Sequence, residues 1–453
     1  MTPVKVATFA EWLGGEARGF SDNDCVSSFA LDSNSVRPGD LFLAIRGERV
    51  DGHTFVSSAL GHGALGSIAE RPVEPPAIVV PNLVEALAKA ALLYRNKFDG
   101  PVVGITGSAG KTTTKEFIAA ALTPLGPILK TEGNRNTEYT APLLWFDLEP
   151  IHKAAVVEMS MRGFGQIRHL ASFSRPTLGV ITNIGFAHML MVGSRSGIAT
   201  AKSELLELLP SDGTAVLWHE DEFLGALRSK SPSHTVTFGA DEGSDCRILS
   251  YRPLSWYASE VTGSCLGREW RAEVPAVGRH IALNAAAAIL VATCLGVEAQ
   301  AAADRLGESV LPPLRMEVVE QKGATILLDT YNASPPSMIA AIETLAELPV
   351  AGRRFAVIGE MRELGDYTGA AHQEIGSALA RSSIERVLFY GLATRGSQEE
   401  AVRLGMPEDR VEWTESIDDV RRFLSQLLPG DALLLKGSRS LELERALGNG
   451  GEH

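Results

Sequence analysis

From residue 100 onward the chain alternates short unbroken apolar runs with longer stretches whose apolar positions recur at helical spacing. The runs are "PVVGIT", "AAVVEMS", "TLGVITNI" and "GTAVLW". An unbroken run of that length, bounded by Gly, Pro or polar residues, predicts a strand buried on both faces. Such strands separated by helical stretches imply a parallel sheet covered by helices. After the break "LPPLRME" at residues 311 to 317, a second set, "ATILLDT", "RFAVIGE", "RVLFYG" and "DALLLKG", predicts a separate Rossmann-like unit. Within it "SPPSMIAAIETLAEL" predicts a helix with Ser334 as N-cap, Pro335 in the first turn and Met338, Ile342, Leu345 and Leu348 on one face. The stretch "GIATAKSELLELL" predicts another, with Ile198, Leu205, Leu206 and Leu209 on one face and Lys202 off it, where a lysine is ordinarily solvated.

The first hundred residues hold one short strand, "DLFLAI", Gly- and Pro-rich turns and the helical stretch "NLVEALAKAALLYRNKF". They read as a small α/β unit that ends at the Gly-Pro break of "DGPVVGIT". The expected fold is therefore α/β in three domains: a small N-terminal α/β domain over 1–99, a central phosphate-loop domain with a mainly parallel sheet over 100–312, and a C-terminal Rossmann-like domain over 313–453. No internal repeat or low-complexity tract interrupts it.

A length of 453 residues agrees with several domains. The net charge of -13 argues against general attraction to nucleic acid or anionic membrane, while leaving room for a local pocket that holds a small anion. The four cysteines, Cys25, Cys246, Cys265 and Cys294, lack C-x-x-C spacing and read as thiols in a reducing compartment. The start, "MTPVKVATFAEWLGGEARGF", lacks the apolar core of a signal peptide. The longest apolar stretch, "IALNAAAAILVATCLGV", is too short for a membrane span, contains Asn284 and predicts a buried helix. A cytoplasmic monomer is expected.

The chemistry concentrates at "GITGSAGKTTTKE". Gly107, Ser108, Ala109 and Gly110 lie between a strand and a helix that opens with Lys111, Thr112 and Thr113. Glycines allow close backbone approach to phosphate, the helix N-terminus aims its amides at the anion, Lys111 meets the terminal phosphates and Thr112 offers a hydroxyl to magnesium. The spacing is short of the usual motif, which would need glycine where Ile105 stands. A glycine-rich turn before an ordinary helix would not need a lysine and three threonines in its first turn. Glu158 and His188 follow apolar strands of the same region, and strand ends are where open α/β sheets bind ligands. Residue types alone lead to an ATP-magnesium site of unstated purpose.

The chain also resembles the Mur ligase family along nearly its whole length. The resemblance rests on "DSNSVRPGDLFLAIRGERVDGHTF", "TGSAGKTTTKE", "TEGNRNTEYTAP", "VVEMSMRGFGQIRHL", "TNIGFAHM", "AKSELLELL", "LDTYNASPPSM", "VIGEMRELGDYTGAAHQEIG" and "LLLKGSRSLELERAL", taken in order. The shortened phosphate loop is the form this family uses. The third-domain segments are most similar to its branch that joins D-alanyl-D-alanine to UDP-N-acetylmuramoyl-tripeptide through an acyl phosphate in peptidoglycan synthesis.

The resemblance implies roles by position. Lys111 would contact phosphates; Thr112 and Glu158 would hold one magnesium, His188 a second, and Lys202 would be carbamylated and serve as an oxygen ligand. Asn284 would contact adenine, Arg315 the γ-phosphate and Asp329 the ribose, with Tyr331 and Asn332 flanking the nucleotide. Asp32, Ser33 and Gly47 would meet the uridine part of the substrate, and Asn136 and Thr137 its sugar-peptide part. Arg362, Lys436 and Ser438 would help position the dipeptide. "NTEYTAP" departs from the more usual "NTEIGLP"-like stretch over residues 139–141, next to Glu138. Two other readings stay open at this point: another amide ligase of the family, such as the third-residue ligase or folylpolyglutamate synthase, and a nucleotide-binding protein without chemistry.

Overall fold

The buried runs do become strands, paired side by side with their C-terminal ends along one edge of the sheet. A computed structural model describes residues 1–47, 50–187 and 189–448. The central sheet has nine strands, in the order Arg268–Val274, Ser259–Cys265, Cys246–Pro253, His234–Gly239, Thr214–Trp218, Leu178–Ile181, Val102–Thr106, Ala154–Glu158, Ile128–Lys130. Strands from Cys246–Pro253 to Ile128–Lys130 pair in parallel. Register sets Glu158 opposite Ile105 and Ile181 opposite Thr106, so Thr106, Glu158 and Thr182 end up along one edge.

The other two strands, Ser259–Cys265 and Arg268–Val274, are antiparallel, and the apolar-run reading did not anticipate them. Their burial alternates, with Trp270, Ala272 and Val274 inward and Arg271 and Glu273 outward. A half-exposed strand has period two and no continuous apolar run. All four cysteines are free thiols; Cys246 and Cys265 are buried and directly opposed, while Cys25 and Cys294 are partly exposed.

The third domain's sheet runs Glu317–Gln321, Ala324–Asp329, Ala432–Lys436, Arg354–Gly359, Arg386–Tyr390, Val411–Thr414, antiparallel only at its first pair. Its register places Asp329 opposite Lys436. The helix Pro335–Glu347 begins as its sequence indicates: the Ser334 amide donates to the Ser337 hydroxyl at 3.0 Å, and Met338, Ile342 and Leu345 are fully buried.

In the N-terminal region a five-stranded sheet runs Glu16–Arg18, Ala77–Val79, Gly66–Ala69, Asp40–Leu43, Ser28–Ala30. A small core around Phe42, Val56 and Ala69 is its own, while a larger one is shared with the central domain. Helix Leu83–Arg95, capped by Asn82 accepting from the Glu85 amide at 3.0 Å, packs one face on the central domain. Phe9 and Tyr94 contact Phe146 edge-on at 5.4 and 5.3 Å, and Arg95 donates to the Ser174 carbonyl at 2.8 Å. The first domain is thereby anchored to the face of the central sheet that carries Leu170, Leu205 and Leu209.

The alanine-rich stretch forms the buried helix Arg279–Cys294, packed against Lys111–Ala121. Small side chains let the two helices approach closely. Among the described residues no helix is long and apolar enough to cross a membrane.

Candidate active site

The strand Val102–Thr106 runs into the loop 107–110 and then into helix Lys111–Ala121. No side chain caps that helix, which leaves its first-turn amides open to an anion. Lys111 folds back so that Nζ donates to the Gly107 carbonyl at 2.9 Å. The loop is shaped by its neighbours. The Thr182 hydroxyl and Asn183 Nδ2 donate to the Ala109 carbonyl at 2.6 and 3.0 Å, and the Ala109 amide donates to Asn183 Oδ1 at 3.0 Å. The Gly185 amide donates to the Ser108 hydroxyl at 2.9 Å.

This clamp explains the glycine at 107. A Cβ there would lie 1.8 Å from Thr182 Oγ1, at a φ of 155°. Gly107→Ala is expected to push Thr182 off the loop and to raise KM for ATP on the order of tenfold, with the thermal midpoint read alongside.

Beside the loop, Glu158 is 1% exposed. Its Oε1 accepts from Asn136 Nδ2 at 2.7 Å and from the Thr112 hydroxyl at 3.3 Å, while Oε2 is buried with no partner among the described residues. A buried carboxylate oxygen without a donor is costly unless a cation meets it. With the Thr112 hydroxyl next to it, this donor set suits a hard divalent ion such as magnesium.

Lys202 is only 2% exposed, contrary to the solvated position expected from sequence. Helix Arg195–Glu207 places it four residues after Ile198 and three before Leu205, which is the same face, not the opposite one. It makes no hydrogen bond or ion pair among the described residues, and burial, reinforced by Lys111, lowers its ammonium pKa well below the ordinary lysine range. Lys111 is shifted the same way, by burial first, with Glu158 opposing and Arg315 adding.

The loop faces the third domain across a cleft of about 860 Å³. Arg315, Asp329, Tyr331, Asn332 and Lys436 line its other side, with Asn284 at the end of the loop. Arg315 lies over the Tyr331 ring, 3.8 Å from its centroid. Lys436 is ion-paired with Asp329 and donates to the Asn332 carbonyl at 3.0 Å. Asn284 Oδ1 accepts from the Thr114 hydroxyl at 3.2 Å.

Three family models match this chain: "Mur ligase family, catalytic domain" over 26–97, "Mur ligase middle domain" over 105–292 and "Mur ligase, glutamate ligase domain" over 314–439. The chain belongs to the Mur ligase family. A Synechocystis relative named UDP-N-acetylmuramoyl-tripeptide--D-alanyl-D-alanine ligase is 36% identical over 97% of this chain and 95% of its own. Among solved structures, MurF from Acinetobacter baumannii is 27% identical with a TM-score of 0.88, covering 99% of both chains. MurF from Thermotoga maritima, solved in complex with ADP, is 31% identical with a TM-score of 0.79, covering 93% of this chain and 96% of that one.

Within this Mur ligase, Ser108 to Thr113, Asn136, Thr137 and Glu158 share the cleft with the third-domain residues. Gly107, the first residue of the loop, is not on the cleft wall. His188 lies outside the described residues. Asp32, Ser33 and Gly47 are on the N-terminal domain, away from the cleft walls: Asp32 Oδ1 accepts from the Asn34 amide at 2.9 Å, the Ser33 carbonyl bonds His62 at 2.8 Å, and the Gly47 amide donates to the Val50 carbonyl at 2.9 Å. Arg362 and Ser438 also lie off the cleft wall, joined by the Arg362 amide donating to the Ser438 hydroxyl at 3.0 Å.

Sequence reasoning missed Thr182 and Asn183 as holders of the loop, although their place directly after a buried strand was a usable signal. It also missed His280, at the start of the alanine-rich helix. Burial pushes the His280 imidazole down to about 4, with Asp329 opposing and Lys436 adding, and its Nδ1 is buried without a partner among the described residues. The unfolded chain therefore takes up a proton near pH 6.5 that the folded chain refuses until about pH 4. Stability from this group is full above pH 6.5 and is lost as pH falls through that window. The thermal midpoint of His280→Gln is expected to fall less than that of the natural chain between these pH values, in calorimetry at matched ionic strength.

Proposed function

We propose that this chain is the ATP-dependent ligase that joins D-alanyl-D-alanine to UDP-N-acetylmuramoyl-tripeptide, the last cytoplasmic step to the UDP-linked pentapeptide of peptidoglycan. The observation that carries this reading is the match of a ligase so named to 97% of the chain at 36% identity. The cleft supports it, because phosphate loop, Glu158 and a third-domain wall face one space.

A carboxylate cannot be amidated directly at neutral pH, since its oxygen is a poor leaving group. In the proposed reaction the tripeptide carboxylate attacks the γ-phosphorus of ATP in line and ADP departs, leaving an acyl phosphate. The dipeptide amine then attacks the acyl carbon, and the C–O bond to phosphate breaks. Lys111 and the uncapped first-turn amides of helix Lys111–Ala121 neutralise charge on the transferred group, and Arg315 approaches it from the other wall. Thr182 and Asn183 hold the loop that leads into this helix, so the first-turn amides need no reorganisation during transfer. Thr112, Glu158, His188 and carbamylated Lys202 would hold two magnesium ions, which when bound supply further neutralisation at phosphate oxygens.

Asn284 is assigned to adenine and Asp329, fixed by Lys436, to the ribose, with Tyr331 and Asn332 beside them. Lys436 thus acts through Asp329 before it can act on a dipeptide; Arg362 and Ser438 are the residues left for that side. Asn136 and Thr137 are placed at the sugar-peptide portion and Asp32, Ser33 and Gly47 at the uridine portion. The domain limits proposed are 1–99, 100–312 and 313–453.

The test is turnover of the purified chain with ATP, magnesium and UDP-N-acetylmuramoyl-tripeptide, comparing D-alanyl-D-alanine with single amino acids by phosphate release and product mass. Product with single amino acids only would sink the assignment. No turnover with any pair would return the nucleotide-binding protein without chemistry.

A further inference from the structure

The loop that clamps the phosphate loop is itself gripped by the third domain. Residues 182–185 bond Ser108 and Ala109. The next residue, Phe186, leaves the central domain and packs against the third domain's core. Its ring stacks on Tyr367, with centroids 4.6 Å apart and planes 6° from parallel. Nearby, the Leu190 amide donates to the Glu363 carbonyl at 3.3 Å, joining the same two segments.

On the central-domain side the loop is held by buried Asp221 and half-buried Arg195. Asp221 accepts from the Ile184 amide at 2.8 Å, and Arg195 donates to the Ile184 carbonyl at 3.0 Å while lying 4.8 Å from the Phe186 ring centroid. On the other side the Tyr367 hydroxyl donates to Glu374. Burial, then Glu374, pushes that phenol up to about 12, so it stays a donor. A rigid path therefore runs from the turn at 365–367 through one aromatic stack to the loop that fixes Ala109.

We propose that Tyr367 is a positioning residue: through its stack on Phe186 it presses the 182–186 loop onto the phosphate loop, so that docking of the third domain sets the geometry for phosphoryl transfer. The kinetic part of this inference rests on the ligase reading; the structural part does not. An ordinary interdomain contact would only hold the domains together, as the Arg279–Glu347 ion pair at 2.9 Å does away from the loop.

The test is backbone hydrogen exchange of segments 107–113 and 182–187 with ADP present, in the natural chain, Tyr367→Ala, Tyr367→Phe and Glu347→Ala. Exchange in both segments is expected to rise between about twofold and about tenfold in Tyr367→Ala, the worth of one aromatic stack, and to stay at the natural rate in the other two. With substrates, kcat is expected to fall by a similar factor in Tyr367→Ala and in Phe186→Ala, with no further loss in the double variant. Natural exchange rates in Tyr367→Ala, an equal rise in Glu347→Ala, or additive kinetic losses would each overturn the proposal. Should the natural chain make no product, the ligase reading fails while the exchange data still decide the stack.

Discussion

Lys202→Ala is expected to lose turnover by about a thousandfold, and a short carboxylate such as acetate or formate is expected to restore part of it. The reason is the setting of this lysine. It is 2% exposed, has no hydrogen-bonding or ionic partner among the described residues, and lies within the field of a second cation, Lys111. A buried ammonium there is disfavoured by desolvation and by like charge. Both effects raise the share of neutral amine, and only a neutral amine adds carbon dioxide, forming an N–C bond and releasing a proton to leave a carbamate. The product is an anion near Lys111, with oxygens suited to a hard cation. Lys202→Met serves as the packing control: it is expected to hold the thermal midpoint and still lack turnover. Activity of the natural chain is expected to drop when carbon dioxide is stripped from the buffer and to return with bicarbonate. Full activity of Lys202→Ala would end the carbamate assignment.

Glu158→Gln is expected to lose between about a hundredfold and about a thousandfold in kcat, and to need more magnesium for half-maximal rate. The amide retains the shape of the carboxylate and an oxygen for Asn136 and Thr112, both of which bond Oε1. What it loses is the charge on Oε2, the atom that is buried without a partner among the described residues. A role limited to holding Asn136 would leave the dependence on magnesium unchanged. Rates measured across a magnesium series distinguish the two, and an unaltered half-saturation point with near-natural kcat would sink the assignment of Glu158 to the cation.

Much of the scaffold was legible because fully buried parallel strands write themselves as continuous apolar runs. The strand ending at Glu158, the helix opening at Lys111 and the buried helix holding Asn284 follow from local pattern alone. The edge hairpin over 259–274 was not, since half-exposed strands dilute their signal with polar residues. Lys202 shows a different failure. Its apolar neighbours were correctly chosen, but the register of a single helix was read one face off, and a lysine was assumed to seek water.

The order of apolar runs, helix-periodic stretches and glycines along the chain was enough to determine the fold class and the presence of a phosphate loop. Both depend on contacts between residues close in sequence: a strand, a tight turn and a helix N-terminus are local objects. What surrounds that loop was decided only by tertiary structure. Thr182 is 73 residues from the carbonyl it supports, and the Thr112–Glu158 contact spans 46. Lys436 meets Asp329 across 107 residues, and Phe186 meets Tyr367 across a domain boundary. No local preference encodes such pairs. They exist because buried sheets bring the C-terminal ends of distant strands together, and the packing of whole domains sets which side chains then face each other.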